Sequence, residues 1–372
     1  MLPLDALRTL LRPTLHPHTA RSARHRRFLS SSTPSLSPPS IYVSDSHNPW
    51  FNLAFEDCET RLFRKTDPDQ KILYMYRNDP SVIIGRNQNP WKEIDLARLR
   101  SLGIPFVRRK SGGGTVYHDL GNTNYCVFVP RLEFDRKTNA ELVTNGLKKL
   151  DLEAYVNDRN DICVEGFKVS GSAFKLVNKR AYHHGTMLID AQLGNLRGVL
   201  GNKRESMVTK GVASVPSPVR NLREWSKEIE HEKFVEVVAR EFADKYGLSG
   251  EVKRVDEGEA RGNEYVRDVV AELKSWEWQY GQTPEFTHEI TGWFDFGSLT
   301  MSISSRHGLI TSASLPSPPL DLEWWQSASE LCEWLAGDRY ESMDSTTQAA
   351  QERAGDEGER LRVLVAWLRG EM

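Results

Sequence analysis

Three consecutive glycines, Gly112-Gly113-Gly114, follow Arg108-Arg109-Lys110-Ser111 and precede Thr115-Val116-Tyr117-His118-Asp119. The apolar pair Phe106-Val107 before them reads as a strand. Glycine lets a backbone turn through φ > 0 and approach a ligand closely, and it frees amide N–H groups to point at an anion. Arginine adds paired donors for a phosphate or carboxylate. A bound acid or nucleotide phosphate fits such a loop. A plain glycine turn with a solvated basic flank fits the same residues. The two common phosphate-binding patterns are excluded, because the segment contains neither G-x-x-x-x-G-K-[ST] nor G-x-G-x-x-G.

Composition narrows the class around this loop. The chain has 372 residues, 49 Lys+Arg against 51 Asp+Glu, and 39% hydrophobic residues. That is a globular composition, which excludes disordered, collagen-like and coiled-coil classes for the bulk of the chain. The formal net charge of −2 argues against a nucleic-acid partner held by bulk electrostatics. No apolar run approaches the roughly 20 residues of a membrane helix, so no membrane partner is expected. Cys58, Cys126, Cys163 and Cys332 form no C-x-x-C pair, which leaves a zinc site or redox dithiol without support.

Residues 1–40 differ from the rest. They hold six arginines, no lysine and one acid, Asp5, and they end in a Ser/Pro-rich stretch. Leu4, Leu7, Leu10 and Leu11 with Arg8 and Arg12 fit a short basic amphipathic helix. The pattern is that of a mitochondrial transit peptide, with the matrix as the expected location.

The remainder reads as α+β, with short apolar runs and helices in no regular βαβ period. Helices are expected over Asn48–Phe63, Ile94–Leu102, Thr138–Leu150 and Glu232–Tyr246. In the first, Trp50, Ala54, Cys58 and Leu62 form the apolar stripe, and Glu56, Asp57 and Glu59 read as its polar side. Strands are expected at Ile72–Tyr76, Val82–Ile84, Tyr125–Val129 and Met187–Ile189. The charged stretch Asp256–Asn263 reads as a linker. Beyond it, Leu299, Met301 and Ile303 and then Leu309, Thr311 and Ala313 predict a hairpin around Arg306-His307-Gly308. Leu361, Leu364, Val365 and Leu368 predict a final helix, and Asp344–Glu359 a partly loose segment. The expected division is 1–40 leader, 41–253 main domain, 254–263 linker and 264–372 smaller α+β domain.

Two more segments carry chemistry. Lys168 lies between Phe167 and Val169, ahead of Ser170-Gly171-Ser172-Ala173. Small residues there let a ligand lie against the backbone, and an ammonium neutralises charge on a carboxylate attacking a phosphate. A strand-end lysine snorkelling to water fits as well. Asp161 is a candidate to hold it. His183-His184 on a strand point to opposite faces, so they cannot chelate one metal together.

Taken together, these segments resemble the lipoate–protein ligase family of the biotin/lipoate ligase superfamily. The resemblance is carried by NPWFNLA from Asn48, GRNQNPW from Gly85, RRKSGGGTVYHDLGN from Arg108, KVSGSA from Lys168 and HHGT from His183. It continues in Ala213-Ser214-Val215 and in WEWQYGQTP from Trp276. It implies a mixed sheet flanked by helices with a smaller accessory domain. It also implies a two-step reaction, in which ATP and lipoate form lipoyl-AMP and the acyl group then passes to a carrier lysine. The implied carriers are the acyltransferase subunits of 2-oxoacid dehydrogenases and the glycine-cleavage carrier protein. By motif, Lys168 is the catalytic residue and contacts both carboxyl and phosphate. Arg109, Gly114, Thr115, Val116, Tyr117 and Asp161 are implied for ATP. Tyr76, Ser111, Gly112, Gly113, His118 and His183 are implied for the acyl group. Tyr76 stands where bacterial ligases commonly have Trp. Mg²⁺ is expected to bridge phosphate oxygens, with no ligand assigned.

Transfer from preformed lipoyl-nucleotide, or from a lipoylated or octanoylated carrier, shares these motifs. A cysteine-dependent octanoyl transfer is disfavoured, because Ala181 and Tyr182 precede the His-Gly motif and no cysteine stands near it. A decayed ligase that only binds carriers is disfavoured by the intact Arg109, Gly112–Gly114 and Lys168.

Overall fold

A computed structural model describes residues 40–62, 69–194, 199–200, 204–215, 217–260, 262–316 and 322–372. The leader expected over residues 1–40 thus lies outside the described residues, save Ser40. The strands are β1 (Ile41–Ser44), β2 (Ile72–Tyr76), β3 (Ser81–Ile84), β4 (Phe106–Arg108), β5 (Val116–His118) and β6 (Asn122–Pro130). They continue with β7 (Ala154–Val156), β8 (Ile162–Val164), β9 (Phe167–Ser170), β10 (Ser172–Val177) and β11 (Arg180–Leu188). The last five are β12 (Met207–Thr209), β13 (Val252–Val255), β14 (Phe286–Phe294), β15 (Gly297–Arg306) and β16 (Leu309–Ser314). Helices of nine residues or more are α1 (Pro49–Leu62), α2 (Arg136–Lys148), α3 (His231–Tyr246), α4 (Glu264–Lys274), α5 (Leu322–Trp334), α6 (Asp344–Glu352) and α7 (Gly355–Glu371).

The largest sheet runs β10-β11-β6-β2-β1-β13. Its central strands β2, β6 and β11 are buried at every residue, because side chains alternate onto two covered faces. Leu73 and Met75 of β2 join the core under α2 and α3, while Ile72, Tyr74 and Tyr76 join an aromatic cluster on the other face. Strand β1 runs parallel to both β2 and β13, whereas the pairs through β6 and β11 are antiparallel. Smaller sheets of order β4-β3-β5 and β7-β8-β9 deliver the glycine strip and the lysine segment.

The second large sheet, β12-β14-β15-β16, has one covered face. Leu299, Met301 and Ile303 are buried along β15 as expected. In β16 it is Ile310 that is buried, while Leu309 and Thr311 are exposed. A register shift at Ser304/Ser305 moves the strand by one residue relative to the expected alternation. His307 (φ 56°) and Gly308 (φ 71°) make the turn, as a two-residue hairpin requires.

The expected division at 254–263 is replaced by continuous packing, and Pro39–Met372 is one compact unit. Val252–Val255 is a sheet strand, and Glu257 accepts from Ser46 Oγ at 2.8 Å. Helix α4 packs on α1 through Phe51, Ala54, Val266, Val269 and Leu273. Trp91 lies 4.9 Å from Tyr340 and 5.6 Å from Phe286 between ring centroids, so residues before and after the expected linker share one core. Asp344–Glu359 is also ordered rather than loose, as α6 and the first turn of α7. Buried Thr346, Ala350 and Leu361 hold it down.

Candidate active site

Strand β3 ends at Ile84, and the chain turns at Gly85 directly under the glycine strip. A Cβ on Gly85 would stand 2.0 Å from the carbonyl oxygen of Gly113, so only glycine permits this approach. Gly113 itself turns at φ 86°. The Arg86 amide donates to the Ser111 carbonyl at 2.8 Å, fixing strip to turn.

Two buried arginines brace this loop. Arg108 is fully buried and donates to the carbonyls of Arg86 (2.8 Å), Gln88 (2.7 Å) and Gln279 (2.8 Å) and to Thr283 Oγ1 (3.0 Å). Burial pulls its guanidinium down to about 9, still charged at neutral pH. Lys110 pairs with Glu272 at 2.6 Å and sits 3.3 Å from the centre of the Trp278 ring. Arg109, lowered by burial to about 10, donates to the carbonyls of Ile83 (3.2 Å), Gly112 (2.6 Å) and Gly114 (2.8 Å). Its Nε–H donates to Ser111 Oγ at 3.0 Å.

That last bond begins a chain of polar contacts. Ser111 Oγ also lies 2.7 Å from His184 Nε2. On the far side of the ring His184 Nδ1 lies 2.8 Å from Glu56 Oε1. The Tyr76 hydroxyl donates to Glu56 Oε2 at 3.0 Å. Donor atoms of Glu56, Cys126 and His184 lie within 4.8 Å of one another, a spacing compatible with a metal ion. Both nitrogens of His184 already have hydrogen-bond partners.

Lys168 reaches the same cavity from β9. Its ammonium pairs with Asp161 Oδ1 at 2.8 Å, with the two side chains 21% and 12% exposed. Asp161 is held at its amide by Asn157 Oδ1, 2.9 Å away. The Gly171 amide donates to Thr186 Oγ1 (3.0 Å), opening the strand pair beside the lysine. The enclosed volume is about 350 Å³. Its lining includes Leu53, Tyr76, Ile83, Arg109, Gly113, Gly114, Thr115, Val116, His118, Lys168 and His184. A more open depression of about 820 Å³ around Asn48 and Asp256 gathers none of these groups.

The expected site residues therefore divide. Tyr76, Arg109, Gly113, Gly114, Thr115, Val116, His118 and Lys168 line one cavity. Asp161 adjoins it through the lysine, and Ser111 and Gly112 stand behind it, bonded to Arg109. Two expectations are corrected. Tyr117 turns into the core with Trp91 and Phe106, because β5 alternates Val116 and His118 toward the cavity. His183 faces the helical core against Tyr125 and Phe134, and its neighbour His184 takes the cavity side. Burial lowers both His183 and His118 to about 3, so each is neutral. Asn78 Nδ2 donates to His118 Nδ1 at 3.0 Å.

Glu56 and Asp57, expected on the polar side of α1, are both buried. Asp57 meets Lys175 at 3.2 Å and the Tyr265 hydroxyl at 3.0 Å. Glu56, Arg159, His184 and the Ala213–Val215 loop complete the site without having been assigned roles from the sequence. The only signal for the acids was their place one and two residues beyond the apolar Phe55.

The geometry is that of a small cavity that brings two cations and the glycine strip together with apolar side chains such as Leu53 and Ile83. The family described as the lipoyl protein ligase A/B catalytic domain matches residues 48–243. Over 340 residues the chain is 34% identical to lipoate-protein ligase A of Psychrobacter cryohalolentis, covering 89% of this chain and 98% of that one. Among solved structures, P. falciparum LipL1 in complex with lipoate superposes with TM-score 0.58 and 27% identity, covering 89% of this chain and 99% of that one. Lipoate-protein ligase A bound with ATP gives TM-score 0.54 and 27% identity over 64% of this chain and 96% of that one. The bipartite ligase of Thermoplasma acidophilum, solved in a study that includes its E2 lipoyl domain, gives 0.53 and 25% over 64% and 94%. This chain belongs to the lipoate–protein ligase family.

Proposed function

We propose that this chain is an ATP-dependent lipoate–protein ligase acting on lipoyl carrier domains in the mitochondrial matrix. The observation that carries this reading is the one cavity lined by Lys168, the strip Gly113–Val116 and Tyr76. In the first step a lipoate carboxylate oxygen attacks the α-phosphorus of ATP, and pyrophosphate leaves with the bond electrons. Lys168 neutralises charge gathering between carboxylate and phosphate, and Asp161 keeps its ammonium aimed there. Thr115 and the glycine strip line the nucleotide end. In the second step the carrier lysine amine attacks the acyl carbon, AMP leaves, and the amine sheds a proton.

Mg²⁺ fits this site, since it is bound by one or two carboxylates plus substrate phosphates, and Asp161 is the carboxylate at hand. It would offset charge on the departing pyrophosphate.

The test is purified protein with ATP, Mg²⁺, lipoate and an apo lipoyl domain. The expected products are lipoyl-AMP, pyrophosphate and a lipoylated lysine. Modification from synthetic lipoyl-AMP but none from ATP plus lipoate would replace ligation by transfer. Residues 1–40 fused to a reporter are expected to direct it to mitochondria, and a cytosolic reporter would refute that location.

A further inference from the structure

One buried carboxylate beside the cavity serves neither Lys168 nor the acyl chamber. Glu93 closes the short helix Pro90–Glu93 and is 9% exposed. Its Oε2 accepts from the Ser214 amide (3.1 Å), the Ser214 hydroxyl (2.5 Å) and Gln88 Nε2 (3.1 Å). The Ser214 hydroxyl has thereby spent its proton, so its oxygen is left to accept. It does so from the Thr115 amide (3.0 Å) and from Gln88 Nε2 (3.0 Å). Gln88 Oε1 accepts in turn from the Gly85 amide (2.8 Å) and the Thr115 hydroxyl (3.0 Å). The loop is also pinned at Val212, whose amide donates to the Asn87 carbonyl at 3.0 Å.

Val212, Ala213, Ser214 and Val215 form one wall of the cavity. A Cβ on Gly114 would stand 3.3 Å from the Ser214 backbone and hydroxyl, so loop and strip are in contact. Apolar packing does not hold this wall, because Val212 is 46% and Val215 70% exposed. The bonds to Glu93 and Gln88 do, and bonds to an ionised acceptor are the stronger kind.

We propose that Glu93 is a positioning residue for the nucleotide end of the site: it orients the Ser214 hydroxyl, and through it the Thr115 amide and the width of the cavity at the strip. This rests on the reading that the cavity takes an acyl-adenylate. Removing the carboxylate frees Ser214 to rotate and releases the wall, while the acyl chamber and its Glu56–His184 chain are untouched.

The test is steady-state kinetics of Glu93→Ala, Glu93→Gln and Ser214→Ala in the full chain, with thermal melting alongside. Glu93→Ala is expected to raise KM for ATP about tenfold, the effect of losing roughly 1.4 kcal/mol of binding, with KM for lipoate within about twofold. Glu93→Gln keeps an acceptor for the hydroxyl and is expected to recover most of that loss. The Glu93→Ala/Ser214→Ala double variant is expected to be no worse than Ser214→Ala alone, the mark of two residues acting as one unit. An unchanged KM for ATP, an equal rise in both KM values, or additive losses in the double variant would overturn the proposal. If the wild type makes no lipoyl-AMP, the functional reading fails separately. Calorimetric titration of wild type and Glu93→Ala with ATP then decides the role of Glu93, and equal affinities overturn it.

Discussion

The two cations of the cavity are used in opposite ways. Arg109 on the strip wall is almost fully buried, and its guanidinium makes four hydrogen bonds within its own chain, to three carbonyls and Ser111. Lys168 on the facing wall is partly exposed and held by one carboxylate. A guanidinium engaged in this way shapes the loop around it. An ammonium with two unassigned N–H bonds is placed to act on a ligand. Two residues that look alike in the sequence, each a cation beside small residues, thus divide into one that builds the site and one that works in it.

The sharpest way to break this contrast is Lys168→Ala. Adenylate formation is expected to fall by at least about 100-fold, while stability drops by no more than about 1 kcal/mol. Loss of folding instead would make Lys168 structural and erase the distinction. Arg109→Lys should show the reverse balance. A single ammonium cannot replace four directed bonds, so unfolding in urea is expected about 3 kcal/mol earlier. Unchanged stability with lost activity would move Arg109 to the acting side.

Acid titration sharpens the buried side of the comparison. His118 and His183 are held near 3 in the fold, chiefly by burial, against about 6.5 when unfolded. Their contribution is complete above about pH 6.5 and is lost as pH falls toward 3, by up to about 1.4 kcal/mol per pH unit for each. Neither ring nitrogen of His183 has a hydrogen-bond partner among the described residues. His183→Leu is therefore expected to flatten the acid limb of the melting curve without altering turnover. An unchanged slope would count against a neutral buried His183. The smallest effect is expected from Asp161→Asn, a fall in adenylation of about threefold to tenfold as Lys168 loses its aim, with KM for lipoate little changed.

Lys168, Arg109 and the triple glycine were legible in the sequence, because they announce themselves by residue type, and short strands bring them together. What was not legible is which face each strand presents. His183 and His184 were correctly placed on opposite faces, but pairing with β6 decides which one enters the cavity. Glu56 reads as a solvent-facing acid until the fold sets His184 and Tyr76 beside it. The missed domain boundary has a similar cause. Asp256–Asn263 has linker composition, yet the apolar residues on either side of it complete one another's core.

Arg108 carries a consequence for how far this protein can be trimmed. Two of its acceptors, Gln279 and Thr283, lie beyond residue 243, where the family match ends. A fragment stopping there would leave a guanidinium sealed under the loop with two of its seats missing. The last third of the chain is thus part of the masonry of the reaction chamber, and a minimal enzyme built from residues 48–243 should not stand without it.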